Sequence, residues 1–378
     1  QGTSLKKEDL TKASEVAEMS NPDPEDTTSQ PAETAFAGSA SKIQYFLQLP
    51  EVTCGAGNIR VEATNSGNNA DYATLKDAFD AINLGTHTGV INIGVCGDTT
   101  ETASAVLNAS GVGAANYSLV LITPTGARTI SGAIVAGSPL IDLNGADNVT
   151  IDGLSSGGNS LTIANTTASA TTGTSTIRLI NGAQNNTITR CAVLGSSTAS
   201  TTVAGGNILI STSTGGANSN NAISSNAIGP AGANLSTKGV MSLGSASPNH
   251  NTGNLIDNNN VFDFFNATTS VAGIDLQTNT ANTTVSNNRI FQTASRTFTS
   301  TALKYSGILV STSGFNQTVT GNMIGFGAAN GTGITAISGS TNLFVGLDFT
   351  TGNTAAATSV QGNVISGISQ DTASTGTG

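Results

Sequence analysis

From about Val90 onward, short apolar stretches alternate with runs of Gly, Asn, Ser and Thr, and almost no helical periodicity survives. SLVLITP, PLIDLNG, NVTIDGL, SLTIAN, STIRLING, GNILIST, GVMSLGS, AGIDLQT and SGILVST each supply four to seven residues of strand character bounded by turn formers. One outline recurs six times: ITRCAV from Ile188, ISSNAI from Ile223, IDNNNV from Ile256, VSNNRI from Val285, VTGNMI from Val319 and VQGNVI from Val360. The copies start 35, 33, 29, 34 and 41 residues apart. A repeat period of about 20 to 50 residues signals a solenoid or a propeller.

The two Ile/Val positions of the outline are five apart. On a straight strand they would face opposite ways, because only i and i+2 share a face. A corner between them returns both to the interior, and the Asn lies at that corner. Asn tolerates a tight bend because it visits left-handed conformations. In a parallel coil with rungs about 4.8 Å apart, Asn226, Asn259, Asn288, Asn322 and Asn363 fall in one column. An amide carries both donor and acceptor, so each can bond the next and the adjacent backbone inside a dry core. Cys191 is the copy that packs there as a small apolar residue instead.

Upstream the pattern changes. In DYATLKDAFDAINL, Leu75, Ala78, Phe79 and Ile82 fall at i, i+3, i+4 and i+7, which predicts an amphipathic helix over 71–84. Asp71 is its expected N-cap and Gly85 its C′ residue. KIQYFLQL (Lys42–Leu49), NIRVEAT from Asn58 and GVINIGV (Gly89–Val95) read as strands. Residues 1–42 read as a charged tail, with a short helix over Leu5–Met19 and then a Pro/Ser/Thr/Glu-rich linker. The expected organisation is tail 1–42, an N-terminal cap 43–100 and an all-β solenoid 101–378. A cap suits a stacked array, whose terminal rung would otherwise expose a core cross-section.

Coils built on this Ile-x-x-Asn-x-Ile outline resemble the right-handed parallel β-helix of the pectate-lyase-like superfamily. The run from DYATLKDAF through ARTISGAI to PLIDLNGADNVTIDG is similar to the start of β-helix regions in large secreted surface proteins of Gram-negative bacteria. Many of those end in a sorting domain for type IX secretion. The resemblance spans roughly residues 58–378 and implies a secreted, adhesin-type surface protein. The final SGISQDTASTGTG departs from it, offering neither cap nor sorting domain, so the chain is expected to be a segment of a longer or processed protein.

Composition agrees with a polar-surfaced solenoid. Charged residues are 10% of the chain and apolar residues 37%, with a net charge of −10. Fifteen of the 23 acidic side chains lie in residues 1–101. An acidic chain without a basic stripe is not expected to bind nucleic acid. No run reaches the apolar length of a membrane span. Cys54 and Cys96 lie in the N-terminal part and either pair in an oxidising compartment or stand as two thiols.

Candidate chemistry is sparse. Enzymes on this scaffold bring carboxylates together with one another or with a base. Asp142, Asp147 and Asp152 in IDLNGADNVTIDG form the densest carboxylate cluster, and Asp257 and Asp263 flank one turn. Arg178 and Asp275 occupy similar outward positions three periods apart, about 14 Å. Phe262, Phe264, Phe265 and Phe291 suggest either a sugar platform or a stack across rungs. Threonines, which an ice-binding face would array regularly, read as clustered in loops. No cofactor or metal is expected. The sequence therefore points to a non-catalytic extracellular structural or adhesive β-helix that meets other copies of itself, head to tail through tail and open ends, or cell-surface glycans. The alternative is a polysaccharide lyase or glycoside hydrolase.

Overall fold

A computed structural model describes residues 52–65, 69–311, 315–350 and 357–371; the expected tail 1–42 and the strand Lys42–Leu49 lie outside these residues. The chain winds into a right-handed parallel β-solenoid of about 8 turns, with 3% helix. Three parallel sheets form its walls, and each is extended by one strand per turn. The first contains Val149–Asp152, Thr187–Thr189, Ala222–Ser224, Leu255–Asp257, Thr284–Ser286, Thr318–Thr320 and Ser359–Gln361. The second contains Cys191–Ser197, Ala227–Pro230, Asn260–Phe262, Arg289–Phe291, Met323–Gly325 and Val364–Ser366. The third runs from Ala105–Asn108 through Pro139–Asn144 and Ser175–Ile180 to Leu343–Phe349.

Strict register carries each aliphatic onto its counterpart in the next coil. Ile151, Ile188, Ile223, Ile256, Val285 and Val319 line the first sheet. Val193, Ile228, Val261, Ile290 and Ile324 line the second. All of them are buried, so one corner does return both ends of the outline to the core. The bend itself falls one residue earlier than the sequence suggested. Arg190, Ser225, Asn258, Asn287, Gly321 and Gly362 hold φ between 53° and 65°, and the ladder asparagines do not. The amides are there to satisfy the groups that the bend strands, while the preceding residue absorbs the left-handed turn.

Asn259 shows how. Its Oδ1 accepts from the backbone N–H of Asn226 at 3.0 Å and from Asn226 Nδ2 at 3.1 Å. Its Nδ2 donates to the carbonyl of Ile223 and to Asn288 Oδ1, both at 2.9 Å. Asn288 and Asn322 repeat the whole set, and Asn226 and Asn363 each make three of its four bonds. Cys191 closes the column: its N–H donates to Asn226 Oδ1. The coil before it makes no tight corner, because a loop with Leu154 and Ser155 at positive φ joins Asp152 to Ser160. A buried thiol fills the amide's place at 191, its Sγ donating to the carbonyls of Thr189 at 3.2 Å and Ile151 at 3.9 Å.

The N-terminal end is closed. The helix spans Leu75–Asn83 rather than 71–84, and Thr74, not Asp71, caps it: Thr74 Oγ1 accepts from the Asp77 N–H at 3.1 Å. Asp71 instead sits in the strand Ala70–Tyr72 and pairs with Arg60. Its oxygen also accepts from the Ala56 N–H. Leu75, Ala78, Phe79 and Ile82 face the first coil and are buried. The buried Glu101 carboxylate accepts from the Leu75 and Lys76 N–H groups, both at 3.0 Å, and so holds the helix N-terminus to the second sheet. Cys54 and Cys96 form a disulfide beside this cap.

Candidate functional site

The third sheet gathers the most chemistry. Its core column is Ile141, Ile177, Ile208, Val240, Ile274 and Ile308; the next residue in each strand forms the line Asp142, Arg178, Leu209, Met241, Asp275, Leu309 and Asp348. Alternation turns this line to the opposite face of the sheet. Arg178 and Asp275 do stand three coils apart on it, too far to touch. Arg178 lies instead on Asp142 of the preceding coil, its Nε and Nη2 donating to the two carboxylate oxygens at 3.0 and 2.7 Å. Lys304 reaches Asp348 at 2.9 Å.

Between these pairs lie two buried ionisable side chains on successive coils. Lys238 is fully buried, and its Nζ donates to the carbonyls of Ala199, Ser200 and Val203, tying their loop to the start of the strand. Asp275 is fully buried too; Oδ1 accepts from Gln277 Nε2, and Oδ2 has no partner. Burial raises the pKa of the Asp275 carboxyl, against the opposing charge of Lys238 and the Gln277 amide. Burial lowers that of the Lys238 ammonium, against the pull of Asp275.

The other carboxylates are scattered. Asp142, Asp147 and Asp152 do not converge: Asp147 accepts from the Gln184 N–H, and Asp152 takes a two-pronged contact from Arg190 on the first sheet. Asp257 accepts from Ser286 and Asn287. Asp263 accepts from Thr293 and Arg296. Among the described residues no group of three or more His, Cys, Asp or Glu could hold a metal ion. A shallow cleft of about 210 Å³ lies where the first two sheets meet, lined by Ser155, Ser160, Arg190, Ser225 and Asn260 among others; its one charged group is already paired with Asp152.

The aromatic residues stack across coils. Phe262 lies on Phe291 with centroids 5.7 Å apart, and Phe264 on Tyr305 at 5.0 Å, continued to Phe344 at 5.1 Å. Phe264, Phe265 and Phe291 are buried. Threonine is not confined to loops, contrary to the sequence reading: Thr187, Thr284 and Thr318 share one line of the first sheet, and Thr189 and Thr320 share another.

Sequence reasoning missed a second amide column. Asn186 Oδ1 accepts from the Val149 N–H, Asn221 Oδ1 from Asn186, and Asn254 Oδ1 from Asn221. Its signal was present, since each of these asparagines lies two residues before the aliphatic that begins the outline. Left-handed residues precede it again, at Asn148, Asn185, Asn220 and Gly253.

No family model matches the chain, and no curated protein matches it. Solved structures do. A periplasmic alginate epimerase, AlgG, aligns at 12% identity and TM-score 0.33 over 90% of this chain and 100% of its own. The A-module of the Azotobacter vinelandii mannuronan C-5 epimerase AlgE4 aligns at 13% identity and TM-score 0.28, over 82% and 97%. The Dettilon tailspike protein aligns at 11% identity and TM-score 0.26, over 80% and 66%. The likeness at these values concerns the β-helix alone.

Proposed function

We propose that this chain is a non-catalytic structural or adhesive rod working outside the cytoplasm, whose surface meets glycans or other proteins. One observation carries the reading: the charged side chains are used as clamps between successive coils. Asp142 holds Arg178, Asp152 holds Arg190, Asp263 holds Arg296 and Asp348 holds Lys304, each pair joining one coil to its neighbour. An ion-paired carboxylate fixed between rungs resists shear of the solenoid and is held away from substrate chemistry. The Cys54–Cys96 disulfide supports an oxidising compartment. No helix among the described residues is long and apolar enough to cross a membrane.

A second reading, a polysaccharide-active enzyme, draws on Asp275, a buried carboxylate whose Oδ2 has no partner, because an unsatisfied buried polar group calls for an explanation and a working site is one. One experiment separates the two. The chain is incubated with a panel of neutral and uronate polysaccharides, products are followed by chromatography and NMR, and retention on the same immobilised glycans is measured. The rod reading expects retention or no interaction, and no chemical change. Turnover that Asp275→Asn abolishes would replace it with the enzyme reading.

A further inference from the structure

We infer that the cleft where the first two sheets meet is a subsite for a neutral glycan, holding one pyranose of a strand laid along the second sheet. Resting on the rod reading above, it gives that rod a defined contact point and a ligand class. The cleft exists because one corner breaks the rule that the others obey. Every later described coil passes from the first sheet to the second at a single left-handed residue, whereas residues 153–159 stand out as a loop. Within it Leu154 and Ser155 hold φ of 59° and 47° in succession, a conformation that L side chains adopt at a cost. The loop is nevertheless pinned at both feet. The Gly153 N–H donates to the Thr189 carbonyl at 2.9 Å, and Ser155 Oγ to that of Arg190 at 2.8 Å. At the other foot Asn159 Oδ1 accepts from the Gly126 N–H at 2.6 Å. Strain kept in place by such contacts points to a working segment.

Beside this ledge the second sheet supplies a floor. Thr162, Ala192, Ala227 and Asn260 follow one another in register, one per coil, so two adjacent methyl groups lie between two polar side chains. The polar groups around them have hydrogen-bonding capacity to spare. Arg190 sends Nε and Nη2 to Asp152, which leaves Nη1. Ser225 Oγ accepts from Asn258 Nδ2 at 3.2 Å, so its hydroxyl hydrogen is left to donate. Ser155 donates and keeps its lone pairs to accept. The Asn260 side chain makes no hydrogen bond among the described residues.

The occupant must donate, accept and present an apolar face at once. A pyranose does all three, since its hydroxyls both donate and accept and its C–H face can lie on the Ala192 and Ala227 methyls. The cleft carries no net charge, because Arg190 is cancelled by Asp152; an anionic sugar would find no free cation in it, which selects an uncharged one. At about 210 Å³ the cleft is smaller than the roughly 300–1,000 Å³ of a small-molecule pocket. That suits one ring of a longer chain. Rungs about 4.8 Å apart are close to the length of a pyranose ring, so neighbouring rings can follow the same line of the second sheet.

The test is affinity electrophoresis of the full chain through gels carrying a soluble neutral polymer (hydroxyethylcellulose, xylan or galactomannan) or polygalacturonate. Oligosaccharides of the retaining polymer are then titrated calorimetrically. Retention by a neutral polymer, unchanged in about 0.5 M salt, is expected. Ala227→Tyr, which fills the floor with a side chain that strands accept, should abolish it. Asn260→Ala should weaken oligosaccharide binding about fivefold, the worth of one neutral hydrogen bond, and keeps the test decisive if the tyrosine variant folds poorly by far-UV circular dichroism. Thr318→Tyr, on the outer face of the first sheet, should leave retention intact. No retention by any polymer overturns the inference and leaves the rod reading standing. Retention by polygalacturonate alone, retention that either cleft change leaves untouched in a folded variant, or loss on Thr318→Tyr overturns it too, while glycan contact elsewhere on the rod survives.

Discussion

Removing one interior ladder amide tests the architecture most directly. Asn259→Ala deletes four side-chain hydrogen bonds: two accepted from Asn226 and two donated, to the Ile223 carbonyl and to Asn288 Oδ1. A net value of about 1 kcal/mol per bond gives a loss of about 4 kcal/mol. The stranded Asn226 N–H lies in a dry core, where an unpaired donor carries its full desolvation cost. Asn259→Asp should be worse at neutral pH, since it replaces a donor by an oxygen facing two acceptors and buries a charge. Acid should recover part of that loss, because a protonated carboxyl can donate once.

Asn363→Ala is the internal control. This amide makes three such bonds at a partly exposed position, the last of the column among the described residues, so about 1 to 2 kcal/mol is expected. Urea unfolding followed by far-UV circular dichroism reads both, with amide hydrogen exchange across residues 222–291 to localise the loss, since solenoids can open in part. Two results would refute the reasoning: a cost below about 1 kcal/mol at Asn259, or equal costs at the two sites. Either would mean that the aliphatic columns hold the coils and the amides merely accompany them.

Three further outcomes are expected. Glu101→Ala should cost about 3 kcal/mol, because a charged acceptor leaves two helix N–H groups; Glu101→Gln should cost about half, and exchange at the Leu75 and Lys76 amides should report it. Gly307→Ala should destabilise by about 1 to 3 kcal/mol, because a Cβ there would meet Ile324 Cγ2 at 2.5 Å and the Gly346 carbonyl at 2.6 Å; a thermal melt of the variant reads it. His87 is buried with Nδ1 unpartnered and Nε2 on the Tyr72 hydroxyl, and burial lowers its pKa. The folded state favours the neutral ring, so the stability it contributes is complete above the unfolded value of about 6.5 and is lost as pH falls through and below it. Unfolding midpoints measured between about pH 7 and pH 5 should therefore drop more in the parent than in His87→Gln.

The legible part of this protein is the part that repeats. Each coil faces the same problem as its neighbours, so Ile223, Ile256 and Val285 had to recur, and the amides between the first and second sheets recurred with them. What recurred in register could be read; what was decided once per molecule could not. Asp71 has the chemistry of an N-cap, but Arg60 and the Ala56 N–H claim its carboxylate in a strand pair, leaving Thr74 to cap the helix. The left-handed position was misplaced by one residue because Ser225 and Arg190 hold it as well as Asn258 and Gly321 do, so residue type gave no signal.

The carboxylates show why function is harder to read than fold here. Along the sequence Asp142, Asp147 and Asp152 sit within one stretch and look like a cluster. In a solenoid, however, neighbours in sequence turn onto different walls, and the partner of each lies one period away, at Arg178, Gln184 and Arg190. The spacing that matters for a site is therefore the rung spacing rather than the sequence spacing. Searching at one period finds clamps at nearly every described Asp of the solenoid, whereas Asp275 is left with a buried oxygen that nothing answers. On the proposed rod reading, charge that locks the coils together is withdrawn from turnover, and the remaining surface of hydroxyls and amides would serve contact.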